Sequence, residues 1–139
     1  MTYIIRDYLK RTTIEKWALG HFNFSEDDAL RAIVESAAEF KTPIFVGTSE
    51  GERNHLGLKQ AVGLVKAFRE EFQILIFLNA DHTKSFEGVV AAVDAGYDAI
   101  LADFSALPFE ENIKLTKQSV EYAKSKNPDI IVEGELGYV

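Results

Sequence analysis

Short apolar and β-branched runs alternate along this chain with segments whose apolar residues recur at helical spacing. That alternation confines the fold to βα units on a mainly parallel sheet. After an opening helix predicted from Tyr3 to Lys10, the order repeats four times. The run Ala18 to Phe24 reads as the first strand, and Ser25-Glu-Asp-Asp28 has the form of a capping box ahead of a helix. Leu30, Ile33, Val34 and Ala37 give that helix one apolar face.

The second strand is predicted from Pro43 to Ser49, with Pro at its first position, where a missing N–H does least harm. A polar loop containing Gly51 is expected next, then a helix with Leu58, Ala61, Val62, Val65 and Phe68 on one face. Ile74-Leu-Ile-Phe-Leu78 suits a strand buried on both faces. Ser85 is placed to cap the following helix, on which Phe86, Val89, Val90 and Val93 share a face, and Gly96 stands where a helix ends in a left-handed residue. A fourth strand is expected over Ala99 to Asp103, a polar-faced helix over Phe109 to Lys126, and a fifth strand over Asp129 to Glu135. Trp17 and the phenylalanines read as packing residues, and residues 1–139 as one domain.

With 139 residues, 47% of them hydrophobic, the chain can bury a core of ordinary size. A net charge of −7 lacks the clustered basic footprint of a nucleic-acid partner. The absence of cysteine excludes a disulfide framework, a thiolate zinc finger and a cysteine nucleophile, and fits a reducing compartment. No stretch approaches the roughly 18 apolar residues of a membrane span, and no secretory leader is evident, so a cytoplasmic protein without membrane partners is expected.

In a parallel α/β sheet the functional groups collect at the C-terminal ends of the strands, because the βα loops can vary there without disturbing the core. Those ends carry Asn23, the run Thr48 to Gly51, Asp81-His82, Asp103-Phe104-Ser105, and the run Glu133 to Gly137. Asp81-His82 offers an imidazole suited to a Lewis-acid metal beside a carboxylate that can move a proton. The same dipeptide could also cap a helix or brace a loop. Asp103 and Glu135, at the next two strand ends, favour chemistry because three adjacent ends then converge on one spot. His21, inside a strand, reads as a hydrogen-bonded core residue, and His55 as solvated. Gly47 and Gly51 around Thr48-Ser49-Glu50 form no phosphate-binding fingerprint and read as a turn.

At these ends the sequence resembles the class II fructose-bisphosphate and tagatose-bisphosphate aldolases. The resemblance is carried by Gly20-His-Phe-Asn-Phe24, Leu78-Asn-Ala-Asp-His82 followed by Ser85-Phe86, and Asp94-Ala-Gly-Tyr97, then by Leu107-Pro-Phe-Glu-Glu-Asn112 and Val132-Glu-Gly-Glu-Leu-Gly137. It implies a (β/α)8 barrel of which this chain holds about the first five units. It further implies that Asp81 exchanges a proton with the substrate's C4 hydroxyl and that His82 is a zinc ligand. Asp103 and Glu135 match acidic positions around the metal, and Asn23 and Ser49 match positions lining the pocket of a phosphorylated sugar. The implied reaction is reversible cleavage of fructose 1,6-bisphosphate into dihydroxyacetone phosphate and glyceraldehyde 3-phosphate, with zinc polarising the ketose carbonyl. No Schiff-base lysine is needed, and no predicted strand ends on one.

A barrel of this type takes about 250 residues, and the family's other two zinc-binding histidines and its phosphate loops fall on later strands. Asp103-Phe-Ser105 also departs from the more frequent Asp-Gly-Ser form. The expectation is therefore an N-terminal fragment or truncated product with little activity alone, whose open sheet edges favour a homo-oligomer. The competing expectation is a self-contained doubly wound binding or signalling domain. A receiver of that kind would want an acidic pair after the first strand and a lysine after the fifth, which Asn23-Phe24-Ser25 and Glu135 to Tyr138 do not provide.

Overall fold

The strands pair in parallel, each with the next in sequence, to give one sheet of order β1-β2-β3-β4-β5. A computed structural model describes residues 5–137. Its strands are β1 (His21–Asn23), β2 (Ile44–Thr48), β3 (Ile76–Thr83), β4 (Ala99–Ala102) and β5 (Ile131–Gly134). Its helices are α1 (Ile5–Glu15), α2 (Asp27–Glu39), α3 (Glu50–Leu56), α4 (Leu58–Phe72), α5 (Phe86–Ala95) and α6 (Phe109–Lys126). A flavodoxin-like doubly wound sheet reverses its strand order at a switch point. The monotonic order here excludes that alternative and is the order of an α/β barrel wall.

Strand side chains alternate between two faces. Ile44 and Val46, Ile76, Leu78 and Ala80, and Ile100 and Ala102 pack against the helices α2 to α6. Their partners there are the apolar stripes expected from the sequence, including Leu30, Val34 and Ala37 of α2, Ala61, Val65 and Phe68 of α4, and Val89 and Val93 of α5. Fully removing each valine, leucine, isoleucine or phenylalanine side chain of this layer from water is worth about 1.5–3 kcal/mol. The opposite, inner face carries Phe45, Phe77 and Ala99, and α1 lays Ile5, Tyr8 and Leu9 across them. Phe45 and Phe77 pack as a tilted pair with 5.2 Å between ring centroids. Phe24 and Phe104 are also buried, whereas Phe22, Phe40 and Phe109 are exposed, so not every phenylalanine serves packing.

Two caps read from the sequence are present. Ser85 accepts a hydrogen bond from the Gly88 N–H, and Gly96 ends α5 at φ 101°. The box expected at Ser25 is not formed, because α2 begins after Glu26 with no side-chain cap. A true capping box lies elsewhere. Ser49 accepts from the Glu52 N–H while the Glu52 carboxylate accepts from the Ser49 N–H, and this pair starts α3 inside the segment expected to be a loop. The opening helix is also longer than expected, running to Glu15, and its predicted start at Tyr3 lies outside the described residues.

Candidate active site

β3 decides the geometry of the site. It continues past Leu78 through Asn79-Ala-Asp-His-Thr83, so the Asp-His pair lies within the strand and not after it. Between the pairs Ala80–Ile100 and Thr83–Ala102, β3 holds one residue more than β4, which is a β-bulge. His82 takes the left-handed conformation at φ 41° to accommodate the extra residue. In a regular strand adjacent side chains point to opposite faces. Here Thr83 is fully buried on the helix side, where it meets Gly88, while Asp81 and His82 both stay on the site side.

Two hydrogen-bonded groups form along the rim. The Asp81 carboxylate accepts from Asn23 Nδ2 at 2.8 Å, and Asn23 also donates to Glu52 at 3.2 Å. His82 Nδ1 lies 2.8 Å from Asp103 Oδ2, and Asp103 Oδ1 accepts from the Ser105 hydroxyl and N–H at 2.6 and 3.1 Å. His82 Nε2 is 4.0 Å from Asp81 Oδ1, so the two groups meet at the Asp-His pair. The hydrogen bond to Asp103 raises the His82 pKa above its ordinary value, with Asp81 and Glu135 adding to the effect against partial burial. Burial alone would raise Asp103. The hydrogen bonds from Ser105 and His82 outweigh it and hold the carboxyl below the ordinary value.

A cavity of about 530 Å³ opens beside this rim, lined by Ser49, His82, Lys84, Asp103, Ser105 and Glu135 among others. A larger depression of about 910 Å³ lies among Thr42, Pro43, Gln73 and Leu75, at the opposite end of the strands, where α/β barrels do not place chemistry. Of the six residues singled out in the sequence, Asn23 and Asp81 touch each other and His82 and Asp103 touch each other. Ser49 serves as the α3 cap and lines the cavity, and Glu135 shares the cavity wall while its backbone carbonyl accepts from Asn112.

A carboxylate on Nδ1 fixes the tautomer that leaves Nε2 able to bind a metal, so His82 fits one ligand position. A catalytic zinc takes three protein ligands. Among the described residues no three His, Asp or Glu side chains are grouped closely enough to hold an ion. The described residues thus fit part of a metal shell and not a complete one.

From the sequence alone Glu52 and Arg53 carry no assigned part in the rim, and Ser105 is placed at its strand end without one. Glu52 is signalled only by the Ser-x-x-Glu spacing after β2. Ser105 is a hydroxyl two residues beyond a strand-end Asp. Arg53 carried no signal. It is 6% exposed and donates to the carbonyls of Thr48 and Asp81 and to the Thr83 hydroxyl. On the inner face below the rim, His21, Asn79 and Glu133 line a third cavity. His21 is exposed there with its ring edge on Phe45, which corrects its reading as a core residue. Desolvation raises the Glu133 pKa, opposed by His21 and reinforced by Asp81 and Glu135. His55 is exposed on α3, as expected for a solvated residue.

The model of the family "Fructose-bisphosphate aldolase class-II" matches residues 4–139. The fructose-bisphosphate aldolase of Geobacillus stearothermophilus is 38% identical over 138 residues, covering 97% of this chain and 47% of its own length. That of Helicobacter pylori is 40% identical over 124 residues, covering 88% of this chain and 40% of its own. The chain thus spans about half the length of the curated relatives it matches. Among solved structures, the YdjI aldolase of Escherichia coli K12 superposes with a TM-score of 0.86 at 28% identity, over 96% of this chain and 50% of that one. The fructose-bisphosphate aldolase of Campylobacter jejuni, at TM-score 0.87 and 16% identity over 96% of this chain and 46% of that one, shares the fold. With five parallel strands in barrel order and a family match along nearly its whole length, the chain belongs to the class II fructose-bisphosphate aldolase family.

Proposed function

We propose that this chain supplies the proton-transfer edge, and part of the metal shell, of an enzyme that cleaves and forms a ketose bisphosphate by the aldol reaction. The observation that carries the reading is the Asp81 carboxylate, oriented by Asn23 and set 4.0 Å from a histidine nitrogen whose other ring position is fixed by Asp103. In the cleavage direction Asp81 takes the proton of the substrate's C4 hydroxyl. C4 becomes the aldehyde carbon, the C3–C4 bond breaks, and its electron pair passes to the ketose half as an enediolate. In condensation the same carboxyl returns the proton, as a positioned acid/base does.

Asn23 donates to Oδ2 of Asp81, which leaves the other oxygen on the His82 side. Asp103 and Ser105 hold the His82 ring still. The class II family generally depends on zinc, which would supply Lewis acidity toward the ketose carbonyl, with His82 as one ligand and Asp103 and Glu135 near it. Ser49 and Asn23 line the side on which a phosphorylated sugar would lie. Among the described residues no helix is long and apolar enough to cross a membrane.

The test is Asp81→Ala in a protein whose sheet is completed by the C-terminal portion of a family member, assayed for cleavage of fructose and tagatose bisphosphates. Loss of a positioned acid/base lowers kcat by about 10²–10⁴-fold. Activity retained in the variant sinks the assignment.

A further inference from the structure

Asp81 and His82 are consecutive in a strand and yet serve the same rim, which requires the bulge at Ala80 to Thr83. A bulge is costly in two ways. It leaves ladder carbonyls without partners, and it places His82, a residue with a Cβ, at positive φ. Such a conformation persists only where the surroundings over-determine it.

Arg53 meets the backbone of the bulged segment from the β2 side. Its Nη1 donates to the Asp81 carbonyl at 3.0 Å and to the Thr48 carbonyl at the end of β2. Its Nη2 donates at 3.0 Å to the Thr83 hydroxyl, which in turn donates to the Ala80 carbonyl at 3.1 Å. Burial pulls the guanidinium's pKa down, opposed by Tyr97 and the nearby carboxylates of Glu50, Asp81 and Glu52. Its hydrogen bonds are to the backbone and hydroxyls of the two strands that carry the rim. Only a planar fork of donors spans these acceptors together, and lysine has no such fork. The helix that delivers Arg53 is fixed by the Ser49–Glu52 box, and Glu52 also holds Asn23, which holds the Asp81 carboxylate. One short helix thus grips Asp81 at its backbone and at its side chain.

We propose that Arg53 is a positioning residue that keeps β3 in its bulged form and so turns Asp81 and His82 to the same side. The inference rests on the reading of this rim as the proton-transfer site. No substrate or metal enters its test, so failure of the aldolase reading leaves the outcome untouched.

The experiment is NMR on the full chain, ¹⁵N-labelled, comparing Arg53→Met, Arg53→Lys and Thr83→Val with the parent. Two local signals are followed: the His82 ring N–H protected by Asp103, and the Asn23 side-chain amide held by Asp81. Methyl signals of Leu30, Val65 and Ile100 report the core. Arg53→Met is expected to lose the His82 ring signal and shift the Asn23 amide while the methyl signals stay in place. Arg53→Lys recovers these signals in part, and Thr83→Val, which removes one acceptor, gives a smaller shift of the same sense. A merely structural arginine would lower the unfolding midpoint and leave both local signals where they are. That result overturns the proposal. If Arg53→Met does not fold, Thr83→Val decides, and unchanged local signals in it overturn the proposal equally.

Discussion

Leu78→Ala is the perturbation that most directly tests how the rim is supported. Leu78 lies in the central strand, paired with Val46 of β2, three residues before Asp81, and is 1% exposed on the helix side of the sheet. Truncating a fully buried leucine costs the transfer free energy of the lost groups plus a cavity term, together about 2–5 kcal/mol. Its strand is flanked on both edges by β2 and β4 and covered by α4 and α5, so the walls cannot close freely and the upper half of that range is expected. Urea unfolding of a domain this size has an m-value of about 1–3 kcal/mol/M. At about 2 kcal/mol/M, a loss of about 3.5 kcal/mol lowers the midpoint by about 1.7 M, with the slope unchanged. Leu136→Ala, at a residue 70% exposed, serves as control and stays within about 0.5 kcal/mol. A midpoint change worth less than about 1 kcal/mol at constant slope would refute the placement of Leu78 in a layer closed by α4 and α5.

Gly96→Ala tests the end of α5. An added Cβ would meet nothing nearer than Val62 Cγ1 at 3.8 Å, so the cost is that of the left-handed backbone, about 1–2 kcal/mol. Gly96→Asn should recover part of it in the same urea measurement, and an Ala variant as stable as the parent would disprove the left-handed cap. The His82–Asp103 pair predicts a pH signature. Because His82 is raised, its share of stability is full below the ordinary value of 6.5 and is lost as pH rises through the folded value. Because Asp103 is lowered, its share is present above the ordinary value of 3.8 and is lost as pH falls through the folded value. Asp103→Asn should therefore cost most between these two pH values and less on either side of them. A cost that grows toward alkaline pH would contradict the pairing.

The strand-end positions were legible because each strand is announced by its own residues. Val46, Leu78 and Ile100 must be buried, and whatever follows such a run in a parallel sheet arrives at the same edge. Asn23, Asp81, Asp103 and Glu135 could be named on that ground. Gly96 and Ser85 were legible because their roles depend on local backbone alone. The Ser25 box failed because the motif is permissive and the chain begins α2 one residue later. The true box at Ser49 was hidden by Gly51 and by a polar composition that suits a loop as well as a short exposed helix.

The sequence by itself determined the alternation of strands and helices, the apolar stripes that join them, and which acids and histidine reach the rim, since all of these follow from local propensity and period. Only the tertiary structure decided the strand order, the bulge that turns Asp81 and His82 to one side, the pairing of His82 with Asp103 across two strands, and the place of Arg53 beneath them. Those features arise from contacts between residues far apart in the chain, such as Arg53 with Thr83 and Asn23 with Asp81, and no local pattern encodes a contact whose partner is set by packing.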